Sequence, residues 1–288
     1  MLKKRILGNI VIRNGIVVQS IEFNKYLPIG KPSVAIEFLN QWGIDEIILT
    51  DISATVNNFE PDYQMIEKAT KKCFVPLTVG GGIYNTDQIK QLMQSGADKI
   101  SLNHFALKNP KLITEAARIF GDQCVVICID VIQTGNGYKV YEHATKSILD
   151  MRPEIWATHC QKLGAGEILL QSVNRDGTYN GYDLEIIKTV CNEVTIPVLC
   201  CGGARTANDF INVFTNTNVS GAVAANMFHF TEHSVNITKS QIHKQIPIRL
   251  ENHADYLMNP FDSEFRLAKK SDDKLEKMLY IKIEKEKI

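Results

Sequence analysis

The feature that most constrains this chain is an alternation. Short runs of β-branched and apolar residues recur between longer stretches of helical periodicity. Eight can be traced: 6–12 (ILGNIVI), 46–52 (EIILTDI), 75–81 (VPLTVGG), 99–103 (KISLN), 124–130 (CVVICID), 167–173 (EILLQSV), 196–203 (IPVLCCGG) and 221–228 (GAVAANMF). Strands that alternate with helices are parallel strands joined by crossovers, and eight of them close a barrel. Intervening stretches such as PSVAIEFLNQWG, DQIKQLMQSGA and DFINVFTNT are long enough to bury one face on that sheet. Pro110 is placed to open the helix KLITEAARIF and Gly121 to close it. The 288 residues suit this reading, since a (β/α)8 barrel takes about 250 as a single core. The expected organisation is a (β/α)8 TIM barrel over residues 1–252 and a short, charged C-terminal extension over 253–288.

The chain also repeats itself. VPLTVGGG-IYNTDQIKQLMQSGADKISLN resembles IPVLCCGG-ARTANDFINVFTNTNVSGAVAAN about 120 residues later, as two stacked half-barrels would. The repeat equates the end of the first strand with the end of the fifth, and so Val11 with Asp130.

Charge narrows the partners. Lys plus Arg and Asp plus Glu both total 32, so there is no net positive field of the kind that non-specific nucleic-acid or membrane-surface binding uses. No run approaches the roughly 18 apolar residues of a spanning helix, and MLKKRILGNIVIRNG does not read as a signal peptide. The seven cysteines are odd in number and lie mostly in apolar runs, the pattern of buried free thiols in a reducing, cytoplasmic setting. Cys200 and Cys201 should point to opposite faces of one strand, which argues against a shared disulfide or metal.

In such barrels the active site is built by the loops at the C-terminal ends of the strands. Those ends carry Asp51, Gly80 to Gly82, Ser101, Asn103, Asp130, Ser172, Asp176, Gly177, Gly202, Gly203 and Asn226. Glycine lets backbone N–H groups approach an anion closely. Two phosphate cradles are therefore expected, one from Gly81, Gly82 and Asn103 and one from Gly177, Gly203, Ala225 and Asn226; tight turns alone would also explain the glycines. At the opposite end, Arg5, Glu46, Lys99 and Glu167 stand at or just before strand starts. Two cations and two anions there either seal the floor by ion pairing or form a gate for a small neutral molecule. His229, Glu232 and His233 spell H-x-x-E-H, an inverted zinc-peptidase pattern. The motif needs a long helix, whereas here it follows the eighth strand directly, with Thr231 and Glu232 placed to begin a short helix instead. No metal or other cofactor is expected. The extension, with SDDKLEKMLYIKIEKEKI, reads as a solvated tail or as a segment docked on the barrel wall or a partner.

Taken in order, RILGNIVIRNGIVV, DEIILTDISAT, TVGGGI, GADKISLN, VVICID, GAGEILLQSVNRDGTYNGYD, CGGA and AAN-MFHF resemble HisF, the cyclase subunit of imidazole glycerol phosphate synthase, from residue 1 to about 252. The resemblance implies a barrel whose floor docks a HisH-type glutaminase, with ammonia rising along the axis to a substrate carrying two phosphates. It turns Arg5, Glu46, Lys99 and Glu167 into an ammonia gate and supports both phosphate cradles. It also implies an aspartate at each of the two equivalent strand ends, as an acid–base pair. Here only Asp130 is present; Val11 takes the other position, Gln19 replaces an expected lysine, and in a working cyclase Asp130, Asp176 or a water would have to compensate for Val11. The segment EFNKYLPIGKPS resembles HisF paralogues linked to surface-polysaccharide genes and acetamidino formation on a sugar. The leading expectation is therefore an ammonia conduit serving a sugar amidation. That chemistry needs ATP-dependent activation by a separate sugar amidotransferase, because the chain has no G-x-x-x-x-G-K-[ST] loop. A histidine-biosynthesis cyclase and a non-catalytic glutaminase-activating scaffold are the alternatives.

Overall fold

The computed structural model describes residues 2–250 and, beyond them, 256, 258–263, 265–268, 270–271, 274 and 277. All eight expected runs are strands: β1 Arg5–Arg13, β2 Glu46–Asp51, β3 Leu77–Gly80, β4 Lys99–Leu102, β5 Val125–Thr134, β6 Glu167–Ser172, β7 Val198–Cys201 and β8 Gly221–Ala224. Each pairs in parallel with the next, and β8 returns to β1 through Arg5↔Gly221 to Gly8↔Ala224, which closes the barrel. Eight helices form the outer ring: α1 Pro32–Gln41, α2 Tyr63–Thr70, α3 Thr86–Gln94, α4 Lys111–Phe120, α5 Pro153–Leu163, α6 Leu184–Glu193, α7 Ala207–Asn216 and α8 Ser234–Ile242. As expected, α4 is flanked by Pro110 and by Gly121, whose φ is +89°.

Strand alternation sorts side chains into two layers. Ile6, Ile10, Ile47, Ile127, Ile168 and Cys200 point outward into the core beneath the helices. Leu7, Ile48, Val126, Leu169, Leu199, Cys201 and Val223 fill the barrel interior. Cys200 and Cys201 thus face opposite ways, and all seven cysteines are free. Among the described residues, no helix is long and apolar enough to cross a membrane.

Two hairpins rise from the C-terminal mouth. The first follows β1 and pairs Ile16–Ile21 with Lys25–Gly30. In the second, β5 continues past the barrel to pair with Gly137–Glu142, which in turn pairs with Ser147–Ile148. EFNKYLPIGKPS is therefore not a plain loop: it contains a hairpin strand and the first turn of α1. Alternation in IVVQSI and the Asn136-Gly137 turn were the local signals for these hairpins. Of the C-terminal extension, most lies outside the described residues. Tyr256 touches His233, and Lys244 lies over the Phe261 ring at 5.5 Å, so the described part meets the end of the barrel around α8.

Candidate functional site

One cavity opens at the C-terminal mouth, between the two hairpins and the barrel axis. Asn9, Val11, Gly80 to Gly82, Asn103, Cys128, Asp130 and Gln171 line it, with Phe23 and Tyr26 from the first hairpin loop and strand and His143 from just beyond the second. The ends of β1, β3, β4, β5 and β6 thus converge as the strand-end argument requires.

Asp130 is the buried charge of this cavity, at 4% exposure. Burial pushes its pKa up to about 7, against donors that favour the carboxylate; the nearby Asp176 raises it further. The donors are Asn103, whose Nδ2 gives a hydrogen bond of 2.8 Å to Oδ2, and the Cys128 thiol, at 3.6 Å from Oδ1. A carboxyl poised near neutrality is suited to taking and returning a proton. Cys128, two residues earlier on the same strand face, is held as a thiol by burial and by Asp130. Val11 forms part of the wall and supplies no proton-transfer group.

The sequence-predicted residues divide around this cavity. Gly81 and Gly82 line it with φ of +113° and +72°, and a Cβ on Gly81 would overlap the Asp51 carbonyl oxygen. Asn103 also lines it, but its carboxamide is directed at Asp130. The second cradle lies outside the cavity wall, under the first hairpin. There the Asn226 Nδ2 donates to the Ser20 carbonyl at 2.7 Å, and its Oδ1 accepts from the Ser20 N–H at 3.3 Å. Gly177 packs against the Ser20 carbonyl, and Gly203, at φ +98°, against the Gly181 carbonyl. Ala225 precedes the short 3-10 turn Asn226–Phe228 with φ of −109°. Asp176 is a clamp here: its carboxylate accepts from the Ser20 hydroxyl at 2.6 Å and from the Phe23 N–H at 3.3 Å. Gln19 Nε2 donates to Tyr179 Oη at 3.1 Å. The hairpin is thus tied down over this half of the mouth by Asn226, read in the sequence as phosphate-binding, and by Asp176, read as catalytic.

At the floor the four charges form a closed ring. Arg5 pairs with Glu46 at 2.6 Å and with Glu167, and Lys99 pairs with both carboxylates at 3.1 Å. Burial opposes the Arg5 charge, but the two carboxylates outweigh it and raise its pKa above the ordinary value. Every charge has two opposite partners, which offsets the cost of placing them at the barrel's end.

The H-x-x-E-H residues do not share one helix. His229 follows the 3-10 turn, half-buried, with its pKa pushed down to about 4 by desolvation. His233 adopts φ of +56° as the cap of α8, which begins at Ser234 and not at Thr231 or Glu232. Among the described residues, no group of three His, Cys, Asp or Glu is arranged to hold a metal ion.

Sequence reasoning missed the contribution of the second hairpin. His104 lines the cavity from the start of the short helix His104–Lys108 after β4, and its Nδ1 lies 2.8 Å from Glu142 Oε1, at the end of Gly137–Glu142. No local pattern joins residues 104 and 142; only the Asn136-Gly137 turn hinted at the strand that carries the glutamate.

A closed (β/α)8 barrel with a buried carboxyl and glycine turns at its mouth and a charged floor has the form of a barrel synthase. A family model described as "Histidine biosynthesis protein" matches residues 5–234. A Vibrio vulnificus protein provisionally named imidazole glycerol phosphate synthase subunit hisF2 is 41% identical over 266 residues, 92% of this chain and 97% of its own length. Imidazole glycerol phosphate synthase subunit HisF of Natranaerobius thermophilus is 40% identical, covering 87% of this chain and 100% of its own. That of Lactococcus lactis is 41% identical, covering 87% and 98%. The chain belongs to the histidine biosynthesis protein family and, within it, to the HisF subunits.

Proposed function

We propose that this chain is the ammonia-consuming, cyclase-type subunit of a two-protein glutamine amidotransferase of the imidazole glycerol phosphate synthase kind, paired with a HisH-type glutaminase. The observation that carries this reading is the stacking along one barrel of a charged floor ring, an apolar interior layer and the buried Asp130. An apolar layer admits neutral ammonia far more readily than ammonium, whose desolvation is costly. At the mouth, Asp130 is poised to exchange a proton with the incoming nitrogen. Gly81, Gly82 and the N–H groups after Asn103 are suited to one phosphate of a bis-phosphorylated substrate, and Gly177, Gly203, Ala225 and Asn226 to the other once the hairpin lifts.

The test is glutaminase activity of a co-purified HisH-type partner with and without this chain, together with turnover of the bis-phosphorylated cyclase substrate supplied with ammonium. Stimulation with turnover supports the cyclase reading. Stimulation without turnover, with no calorimetric affinity for any sugar phosphate, would leave only the glutaminase-activating scaffold.

Val11 favours a second reading. With no carboxyl at that strand end and Gln19 in place of a lysine, the acceptor would be a different phosphorylated or nucleotide-linked molecule. Amidation of a sugar acetamido group in surface-polysaccharide synthesis fits, with a separate ATP-dependent protein activating the amide oxygen. Stimulation of the glutaminase without cyclase turnover, and failure to complement a histidine auxotroph, supports this reading over the first.

A further inference from the structure

A ring closure or an amidation moves at least two protons, one off the attacking nitrogen and one onto a departing group. Asp130 serves one of these transfers, and Val11 cannot serve the other. Around the cavity the titratable side chains are Asp130, Cys128, Asp51, Tyr26, His104 and His143, with Glu142 and Lys108 behind His104. The Tyr26 hydroxyl donates to the Phe23 carbonyl at 2.8 Å, and its pKa is pushed up to about 12, chiefly by burial. Cys128 is held as a thiol, and Asp51 is engaged by the Ser53 hydroxyl and by the N–H groups of Ser53 and Ala54. His143 stands edge-on to Phe23 at 5.5 Å, and the charges that act on it are those of Lys146 and Arg13, not a carboxylate of the described residues.

His104 differs from these because a buried carboxylate stands behind it. Glu142 is 3% exposed. Its Oε2 accepts from the Thr145 hydroxyl at 2.5 Å, and its Oε1 lies 3.3 Å from Lys108 Nζ and 2.8 Å from His104 Nδ1. Burial would raise the Glu142 pKa, but Thr145, Lys108 and His104 together bring it below the ordinary value, so it stays ionised. The His104 ring is fixed edge-on to Phe105, at 4.8 Å between centroids. The Nδ1 and Oε1 atoms are both buried and face each other at ion-pair distance without an aligned hydrogen bond; Nδ1 has no other hydrogen-bond partner, and Oε1 has only the Lys108 ammonium besides. A carboxylate on one imidazole nitrogen selects the tautomer and leaves the other nitrogen free to exchange a proton.

We propose that His104, oriented by Glu142, is the second acid–base group of this cavity and takes the place of the carboxyl that Val11 does not supply. Glu142 is its positioning residue. The proposal rests on the reading that ammonia chemistry occurs beside Asp130, but one of its tests does not. In the ligand-free chain, nitrogen-15 NMR of the imidazole, assigned with His104→Gln, should show the neutral ring as the Nδ1–H tautomer, with that preference lost in Glu142→Gln. A neutral ring carrying its proton on Nε2, or one unaffected by Glu142→Gln, overturns the proposal whatever the substrate.

With ammonium and the bis-phosphorylated substrate, His104→Gln should lower kcat by about 10² to 10⁴ fold and remove one limb of the pH profile, with little change in KM. Val11→Asp added to His104→Gln should restore at least about tenfold, while adding little to the wild type. Wild-type kcat with both limbs retained in His104→Gln overturns the inference. Absence of turnover in the wild type instead counts against the cyclase reading alone, and the NMR result then decides the role of His104.

Discussion

Asn103 donates a 2.8 Å hydrogen bond to Asp130, and this contact ties the end of β4 to the only buried carboxylate of the described residues that lines the mouth cavity. It favours the charged form of a group that burial pushes the other way. The balance leaves Asp130 near neutrality, and several measurable consequences depend on it.

Asp130→Asn keeps the shape and an acceptor for Asn103 but removes the proton-transfer group. Turnover with ammonium should fall by about 10² to 10⁴ fold. The stability effect has the opposite sign. With a folded-state pKa of about 7 against the ordinary 3.8, the folded chain holds a proton that the unfolded chain has released, so stability from this group is lost as pH rises between those values. The variant should therefore gain melting temperature relative to the wild type above about pH 7 and lose that advantage below about pH 4. Thermal melts across this range check the sign.

Asn103→Leu removes a donor that stabilises the carboxylate. The Asp130 pKa should rise further, and the acidic limb of the pH–rate profile should move to higher pH. A profile unchanged from the wild type would show that the limb belongs to another group.

Lys99→Met leaves Glu46 and Glu167 with Arg5 alone. Loss of a partner from a largely buried network costs up to about 3–5 kcal/mol, with the lower end expected because Lys99 is 19% exposed. Denaturant titration measures this. Glutamine-supported turnover with the glutaminase should change more than ammonium-supported turnover, since free ammonium can reach the substrate from the open mouth.

Gly203→Ala places a Cβ against the Gly181 carbonyl at a φ of +98°. Both the overlap and the left-handed backbone oppose it, so a loss of more than about 1 kcal/mol is expected in urea titration. Gly15→Ala is the control, with a positive φ but open space around its Cβ position.

The barrel was legible because its signal is local and repeated. Each strand writes its outward face in β-branched residues, each crossover carries helical periodicity, and eight copies leave one closure. The positions of Asp130, of the mouth glycines and of the floor charges were legible for the same reason, since each lies at or next to an end of a strand. What the mouth does with them was decided by tertiary structure. The hairpin of Ile16–Ile21 and Lys25–Gly30 lies over Gly177 and Asn226 because Asp176 and Asn226, more than 150 positions away, bind Ser20. His104 gains a carboxylate only when the strand ending at Glu142 folds back beside it. Such contacts depend on where chain segments cross in space, and neither spacing nor periodicity records a crossing. Sequence alone thus determined the scaffold and the strand ends that meet at its mouth, while the raised pKa of Asp130, the partner of His104 and the covering of Gly177 and Asn226 followed from burial and long-range contacts.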